Sequence, residues 1–161
     1  MASETHDIQI ASIAPDFTLD TYEGRVSLAD YRGKNHVVLY FMRAFDCPVC
    51  QHHVARLGRI YPTLQAQQTT VLVIGAGNSV DAAKLRERFG LPFPVLADVD
   101  GSVYRQYNLN KALSIIQQSG SFLIDIDGVV RYANRSTLPT GALNETLLLR
   151  AIDNVQAVVG H

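Results

Sequence analysis

No stretch of the chain approaches the roughly 20 consecutive apolar residues that a bilayer-spanning helix needs, and no run of lysine and arginine stands out from its surroundings. The first absence predicts a protein with no membrane span. The second, with 14 basic side chains set against 15 acidic ones, leaves no sequence-wide field to attract nucleic acid or an anionic membrane. The opening Met1-Ala-Ser-Glu-Thr-His-Asp7 is polar and acidic where a secretory signal would be basic and then apolar, so a cytoplasmic protein is expected. Internal repeats and low-complexity segments are missing as well. Cysteine is scarce: there are two, Cys47 and Cys50, and in a reducing compartment such a pair suits a reactive or metal-binding role better than a structural staple.

What is present is organised around those two residues. The apolar run Val37 to Met42 ends in a polar break, Arg43-Ala44-Phe45-Asp46, which delivers Cys47-Pro48-Val49-Cys50. The following Gln51 to Gln68 places Val54, Leu57, Ile60, Tyr61 and Leu64 at helical intervals, so the stretch reads as strand, turn and helix. With 161 residues and 47% hydrophobic composition, the chain is long enough for one good core and short for two. A single domain over 1–161 is expected, with 1–10 set aside as a flexible or edge segment.

The rest follows the same logic. Asp16 to Asp20 and Arg25 to Leu28 alternate apolar with polar around a turn at Gly24, which predicts an N-terminal β-hairpin. Leu28 to Gly33 suits one helical turn. Val71 to Gly75 is a second buried strand, Ser79 is a candidate cap for a helix from Val80 to about Phe89, and Val95-Leu96-Ala97 is a short third strand. Strands alternating with helices imply parallel pairing. Another short helix follows Asp98-Val99-Asp100-Gly101. Ser121 to Asp125 and Val129 to Ala133 bracket Ile126-Asp127-Gly128, a hairpin signal in which Asp125 and Asp127 shape the turn. A last helix from about Leu143 to Ala157 carries Leu147, Leu148, Ala151, Ile152, Val155 and Val158 as its sheet-facing stripe. The class is α/β, a central mixed β-sheet with helices on both faces. Gly75-Ala76-Gly77 could begin a phosphate loop, but Gly-x-Gly-x-x-Gly stops at Ala82, so it reads as a turn.

This order, with Cys-x-x-Cys at the first helix of a βαβ unit and a late hairpin, resembles the thioredoxin fold, a three-layer sandwich. More closely, Ala14-Pro15-Asp16-Phe17-Thr18-Leu19 and Phe122-Leu123-Ile124-Asp125-Ile126-Asp127-Gly128 resemble the alkyl hydroperoxide reductase/thiol-specific antioxidant (AhpC/TSA) family, the peroxiredoxins and their relatives. The resemblance implies an antioxidant oxidoreductase with a redox-active disulfide. Its active-site pattern, Phe-x-Pro-x-x-x-Thr-x-x-Cys, is met in part. Counting from Phe41, Arg43 takes the Pro position, Cys47 the Thr position and Cys50 that of the peroxidatic cysteine. In the thioredoxin-like reductases the first cysteine of the pair attacks, which nominates Cys47. Three residues before Phe122, where peroxiredoxins often carry Arg and the reductases a cis-Pro, stands Ser119; Arg43 is the candidate to supply the missing charge.

The chemistry needs a thiolate, and a free thiol with pKa about 8.5 must be lowered to serve near neutrality. Cys47 lies closest to the expected helix N-terminus, where unpaired N–H groups and the macrodipole favour negative charge, and Pro48 fits the first helical turn. Asp46 would raise the Cys47 pKa unless it caps the helix instead. Cys47 is favoured as the attacking sulfur, with Phe45 and Phe93 the aromatic residues allowed near substrate. A zinc site built from Cys47, Cys50, His52 and His53 is disfavoured, because four ligands in one helical turn cannot easily surround the ion, and the two histidines read as helix-surface residues. No metal and no cofactor are expected. The expected partners are a peroxide or disulfide substrate and a thioredoxin-type reductant, with room for a homodimer. The leading expectation is a peroxiredoxin-like enzyme reducing hydrogen peroxide or organic hydroperoxides. The alternatives are a thiol-disulfide oxidoreductase acting on protein disulfides and a redox-sensing module without turnover.

Overall fold

A computed structural model describes residues 10–112 and 116–159. Its first regular elements are the expected hairpin, β1 (Thr18–Thr21) paired antiparallel with β2 (Gly24–Ser27), followed by a single 3-10 turn over Leu28–Tyr31. The aliphatic runs then make β3 (His36–Phe41), β4 (Thr69–Gly75) and β5 (Val95–Ala97), parallel to one another and buried along their whole length. Continuous burial explains why these segments lack the polar alternation of a half-exposed strand. The helices α1 (Pro48–Ala66) and α2 (Ser79–Phe89) connect them. After α3 (Ser102–Gln106) and a small ribbon, β6 (Lys111–Ala112) with β7 (Ile116–Gln117), the late hairpin β8 (Ser119–Ile124) and β9 (Val130–Ser136) returns antiparallel beside β3. The helix α4 (Glu145–Val159) ends the described chain.

The seven-stranded sheet runs β2-β1-β5-β4-β3-β8-β9. Because β3, β4 and β5 step in one direction across it, right-handed crossovers put α1 and α2 on the same face. There, Val54, Leu57 and Leu64 of α1, Ala82 and Leu85 of α2 and Leu148 and Ile152 of α4 pack on Val38, Tyr40, Met42, Val71 and Val73. The opposite face is covered by Phe17, Leu28, Val103, Tyr104 and Tyr107, lying on Leu39, Phe41, Leu72, Ile74 and Phe122. The fold is the expected thioredoxin-like α/β sandwich with a mixed sheet. Among the described residues no helix is long and apolar enough to cross a membrane.

Several local expectations change. The cap of α2 is Asn78, whose Oδ1 accepts the Asp81 amide at 2.8 Å, and Ser79 is already the first helical residue. Leu147 is exposed rather than part of the α4 stripe: the buried set is Leu148, Ile152 and Val155, spaced four and three apart, which leaves Leu147 one step around the helix. The side chain of Val158 and the segment 1–9 lie outside what is described. The β6–β7 ribbon was not foreseen, since two-residue strands carry no periodicity to read. Asp125 does organise its hairpin: one oxygen accepts the amides of Asp127 and Val129, and the other pairs with Arg131 at 2.7 Å.

Candidate active site

The site forms where β3 stops. The Met42 amide donates to the Ile74 carbonyl at 2.8 Å, and the buried Tyr104 hydroxyl lies 2.5 Å from the Met42 carbonyl and 3.1 Å from that of Ile74. The ends of β3 and β4 are thus tied together just before the chain leaves the sheet. It turns tightly, with the Cys47 amide on the Ala44 carbonyl, and enters α1 at Pro48. Proline with its fixed φ and no N–H opens a helix well, which makes the residue before it the cap.

That cap is Cys47. Its backbone is extended, its carbonyl accepts the Gln51 amide at 2.9 Å, and its sulfur accepts the Cys50 amide at 3.4 Å. A sulfur in place of the usual capping oxygen sits among the unpaired donors of the first turn, where negative charge is favoured. The alternative in which Asp46 caps the helix is therefore overturned: the helix starts one residue too late for it, and Asp46 is exposed.

The two thiols, both free, are driven apart electrostatically. At Cys47 burial pushes the thiol up. The hydrogen bonds from the Cys50 side chain and backbone, and the hydrogen bond and charge of the Arg43 guanidinium, outweigh it, so the net direction is down. Cys50, fully buried behind it, is pushed up to about 11, by burial first and by the Cys47 sulfur next; the Arg43 amide, which donates to its sulfur at 3.3 Å, and Tyr40 oppose the rise. The arrangement holds one sulfur ready as a thiolate and the other in reserve as a thiol.

The other expected site residues divide. Arg43 is brought to Cys47 as described. Phe45 is half-buried, its ring lying on the Gly75–Gly77 turn, where side chains at either glycine would strike it. With Asp46, Gln51, Gly77, Lys84 and Arg88 it lines a groove of about 410 Å³. Ser119 is buried at the start of β8, one step beyond the Phe41–Gly120 pair and so beside Met42, and its hydroxyl has no hydrogen-bond partner. Phe93 does not belong to the site: it is fully buried beneath α1, edge-on to Tyr61. Among the described residues no group of three or more His, Cys, Asp or Glu is placed to share a metal ion.

Two neighbours of the pair, Tyr40 and His53, stand closer to it than their sequence reading as a core residue and a helix-surface residue placed them. Tyr40, on the α1 face of β3, is fully buried and its hydroxyl interacts with the Cys50 thiol. The same hydroxyl lies 2.7 Å from Nδ1 of His53, so His53 is not the plain surface residue expected, whereas His52 is exposed. Spacing offered a hint of this: Cys50 and His53 stand at i and i+3 on one face of α1, and Tyr40 shares its side of the sheet with Met42, one residue past β3.

Comparison with known proteins agrees with the fold and the family resemblance. The AhpC/TSA family model matches residues 10–133. The chain is 36% identical over 154 residues to "Peroxiredoxin 2" of Thermoplasma acidophilum, covering 89% of this chain and 74% of that protein. It is 34% identical over 131 residues to the thiol-disulfide oxidoreductase ResA of Geobacillus thermodenitrificans, covering 80% and 71%. Among solved structures, Enterococcus faecalis AhpC superposes with a TM-score of 0.83 at 23% identity, covering 96% of each chain.

Proposed function

The chain belongs to the AhpC/TSA family and is a thiol-dependent oxidoreductase; from that premise we propose that it reduces hydrogen peroxide or small organic hydroperoxides, with Cys47 attacking and Cys50 resolving. The observation that carries this reading is the Cys47 sulfur at the cap of α1, lowered by Arg43 and by Cys50. In the first step the Cys47 thiolate attacks the terminal peroxide oxygen; the O–O bond breaks, water or an alcohol leaves with one added proton, and Cys47 becomes a sulfenic acid. In the second the Cys50 sulfur attacks Cys47, water leaves and a disulfide forms. A dithiol donor of the thioredoxin type returns two electrons and two protons. The whole chain would serve as one domain in this cycle.

A small substrate suits the geometry, since Cys47 is only 2% exposed and a peroxide needs far less room than a protein disulfide. The second reading, reduction of protein disulfides, draws support from the order of the sulfurs, because attack by the first cysteine of the pair is the habit of thioredoxin-like reductases. Stopped-flow oxidation separates them. Peroxide should oxidise the protein far faster than it oxidises free cysteine; a rate no faster would reject the peroxidase, and insulin reduction would then favour the second reading. A sulfenate probe should label Cys50→Ser and spare Cys47→Ser. The opposite pattern would assign attack to Cys50.

A further inference from the structure

Cys50 presents a problem that the catalytic cycle does not solve by itself. It must attack as a thiolate, yet it is fully buried, and neither the resting Cys47 sulfur nor the Arg43 amide beside it is a base that can hold its proton before the S–S bond forms. One polar side chain leads away from it: the Tyr40 hydroxyl, which interacts with the Cys50 thiol on one side and lies 2.7 Å from His53 Nδ1 on the other. The two rings stand edge-on, 5.7 Å apart at 86°, which fixes the line from hydroxyl to ring nitrogen. His53 is half-buried and the residue before it is exposed, so the chain of contacts runs from the buried sulfur toward the outer side of α1.

We propose that Tyr40 and His53 form a proton relay that empties the Cys50 thiol when it resolves Cys47, with Tyr40 as the conduit and His53 as the acceptor. The assignment rests on the reading of Cys47 as the attacking sulfur. Before resolution the Cys50 S–H points to the Tyr40 oxygen and the Tyr40 O–H to His53 Nδ1. As the Cys50 sulfur bonds to Cys47, its proton passes to Tyr40 and the tyrosine's own proton passes to His53. From a Cys47 sulfenic acid the departing hydroxide takes up a proton from water, and His53 gives the one it received back to solvent, so the sum is thiol plus sulfenic acid giving disulfide plus water. Every polar atom keeps a partner before and after, because the chain of donors only reverses direction.

The surroundings fit this division of labour. Tyr40 is held well above the ordinary tyrosine range, by burial first and then by Cys50, so it passes a proton without ever resting as a phenolate. His53 is held below the ordinary histidine value, by burial and then by His52, so at neutral pH it is an unprotonated acceptor. The titratable groups acting on the relay besides Cys50 are Cys47 and Tyr104 at Tyr40 and His52 at His53, with Arg43 beside Cys47; one turn along α1 from His53, Arg56 is paired with Glu145 at 2.6 Å. Ser121, the neighbour of Tyr40 on β8, spends its hydroxyl on the Ala142 carbonyl.

Ellman's disulfide tests the relay without any natural substrate. Attack by Cys47 releases one coloured thiol and leaves a mixed disulfide; attack by Cys50 releases the second. In the wild type both releases should occur, the second with a rate that levels off above the His53 pKa. Tyr40→Phe and His53→Gln should each slow the second release by about a hundredfold near neutrality, the scale of general acid–base assistance. The rate should then climb steadily with pH instead of levelling off, and the first release should stay within a few-fold of the wild type. His53→Gln leaves the buried ring of Tyr40 untouched, so misfolding cannot mimic the result. A second release that keeps its rate and its pH profile in His53→Gln overturns the relay. A wild type that makes no first release would strike down the reading of Cys47, and the relay with it.

Discussion

Replacing Arg43 by Met tests the electrostatics of the site most directly. The guanidinium both hydrogen-bonds Cys47 and sets a positive charge beside it, and Met keeps much of the length and the apolar stem while removing both. An opposite charge in contact lowers an acid's pKa by about 1–3 units. Arg43 shares this task with the stronger contacts from Cys50, so removing it should let the Cys47 thiol rise. Below an acid's pKa any such rise cuts the ionised fraction, so alkylation of Cys47 by iodoacetamide, followed by peptide mass spectrometry, should slow by at least several-fold near neutrality. The two proteins should converge at high pH, once both thiols are ionised. Arg43→Lys, which keeps charge without the planar fork, should fall between them. A Met variant with an unchanged alkylation profile would refute the role of the guanidinium. A deficit that persists at high pH would show that Arg43 acts through structure rather than through the thiolate.

Other perturbations read other parts of the design. Because the Cys50 pKa is raised in the fold to about 11 from about 8.5 in the unfolded chain, its contribution to stability is complete below the lower value and is lost as pH rises through the higher. Denaturant titrations of the reduced protein should therefore show stability falling between those limits, and Cys50→Ala should flatten that fall. Gly75→Ala drives a methyl group into the Phe45 ring; it should cost about 1–3 kcal/mol, as overpacking does, and should also change the peroxide reaction rate by displacing the segment that leads to Cys47. Asp125→Ala leaves the Asp127 and Val129 amides without their acceptor, while the part-exposed Arg131 guanidinium turns to solvent, an expected loss of about 1–3 kcal/mol measurable by chemical denaturation, with Cys47 reactivity at ambient temperature retained.

The sequence made the frame of the fold and the place of the pair readable because both rest on patterns that local rules capture. Continuous aliphatic runs mark strands covered on both faces, and Pro48 after Cys47 marks a helix start closely enough to identify the cap once the helix is seen to begin at the proline. What was not legible depends on which residues of distant segments meet. Phe93 looked available to substrate because nothing in its neighbourhood, Leu91-Pro92-Phe93-Pro94, says that α1 lies over it. Tyr104 is 62 residues from the Met42 carbonyl it braces, and Tyr40 is 13 from His53. No local periodicity reports such pairings; only the parity of β3 and the face of α1, considered together, hint at the second.

The pair's position in the scaffold explains how one family pattern can be half kept. The peroxiredoxin register sets its reactive cysteine where Cys50 stands, but here that position faces inward, among Tyr40, Val54 and Met42, and burial raises its thiol. The position that would hold threonine instead carries a sulfur at the helix cap. A capping sulfur takes the donors of the first turn for itself, so the charge those donors favour settles on Cys47. Arg43, in the place of the motif's proline, then serves both sulfurs at once: its amide donates to Cys50 and its guanidinium to Cys47. Returning proline to that position would remove the amide donor along with the charge. Arg43→Pro should therefore impair Cys47 activation at least as much as Arg43→Met does, and should alone also slow resolution, since Cys50 would lose the one backbone donor that opposes its rise. Equal second-release rates for the two variants with Ellman's disulfide would refute that division between guanidinium and amide.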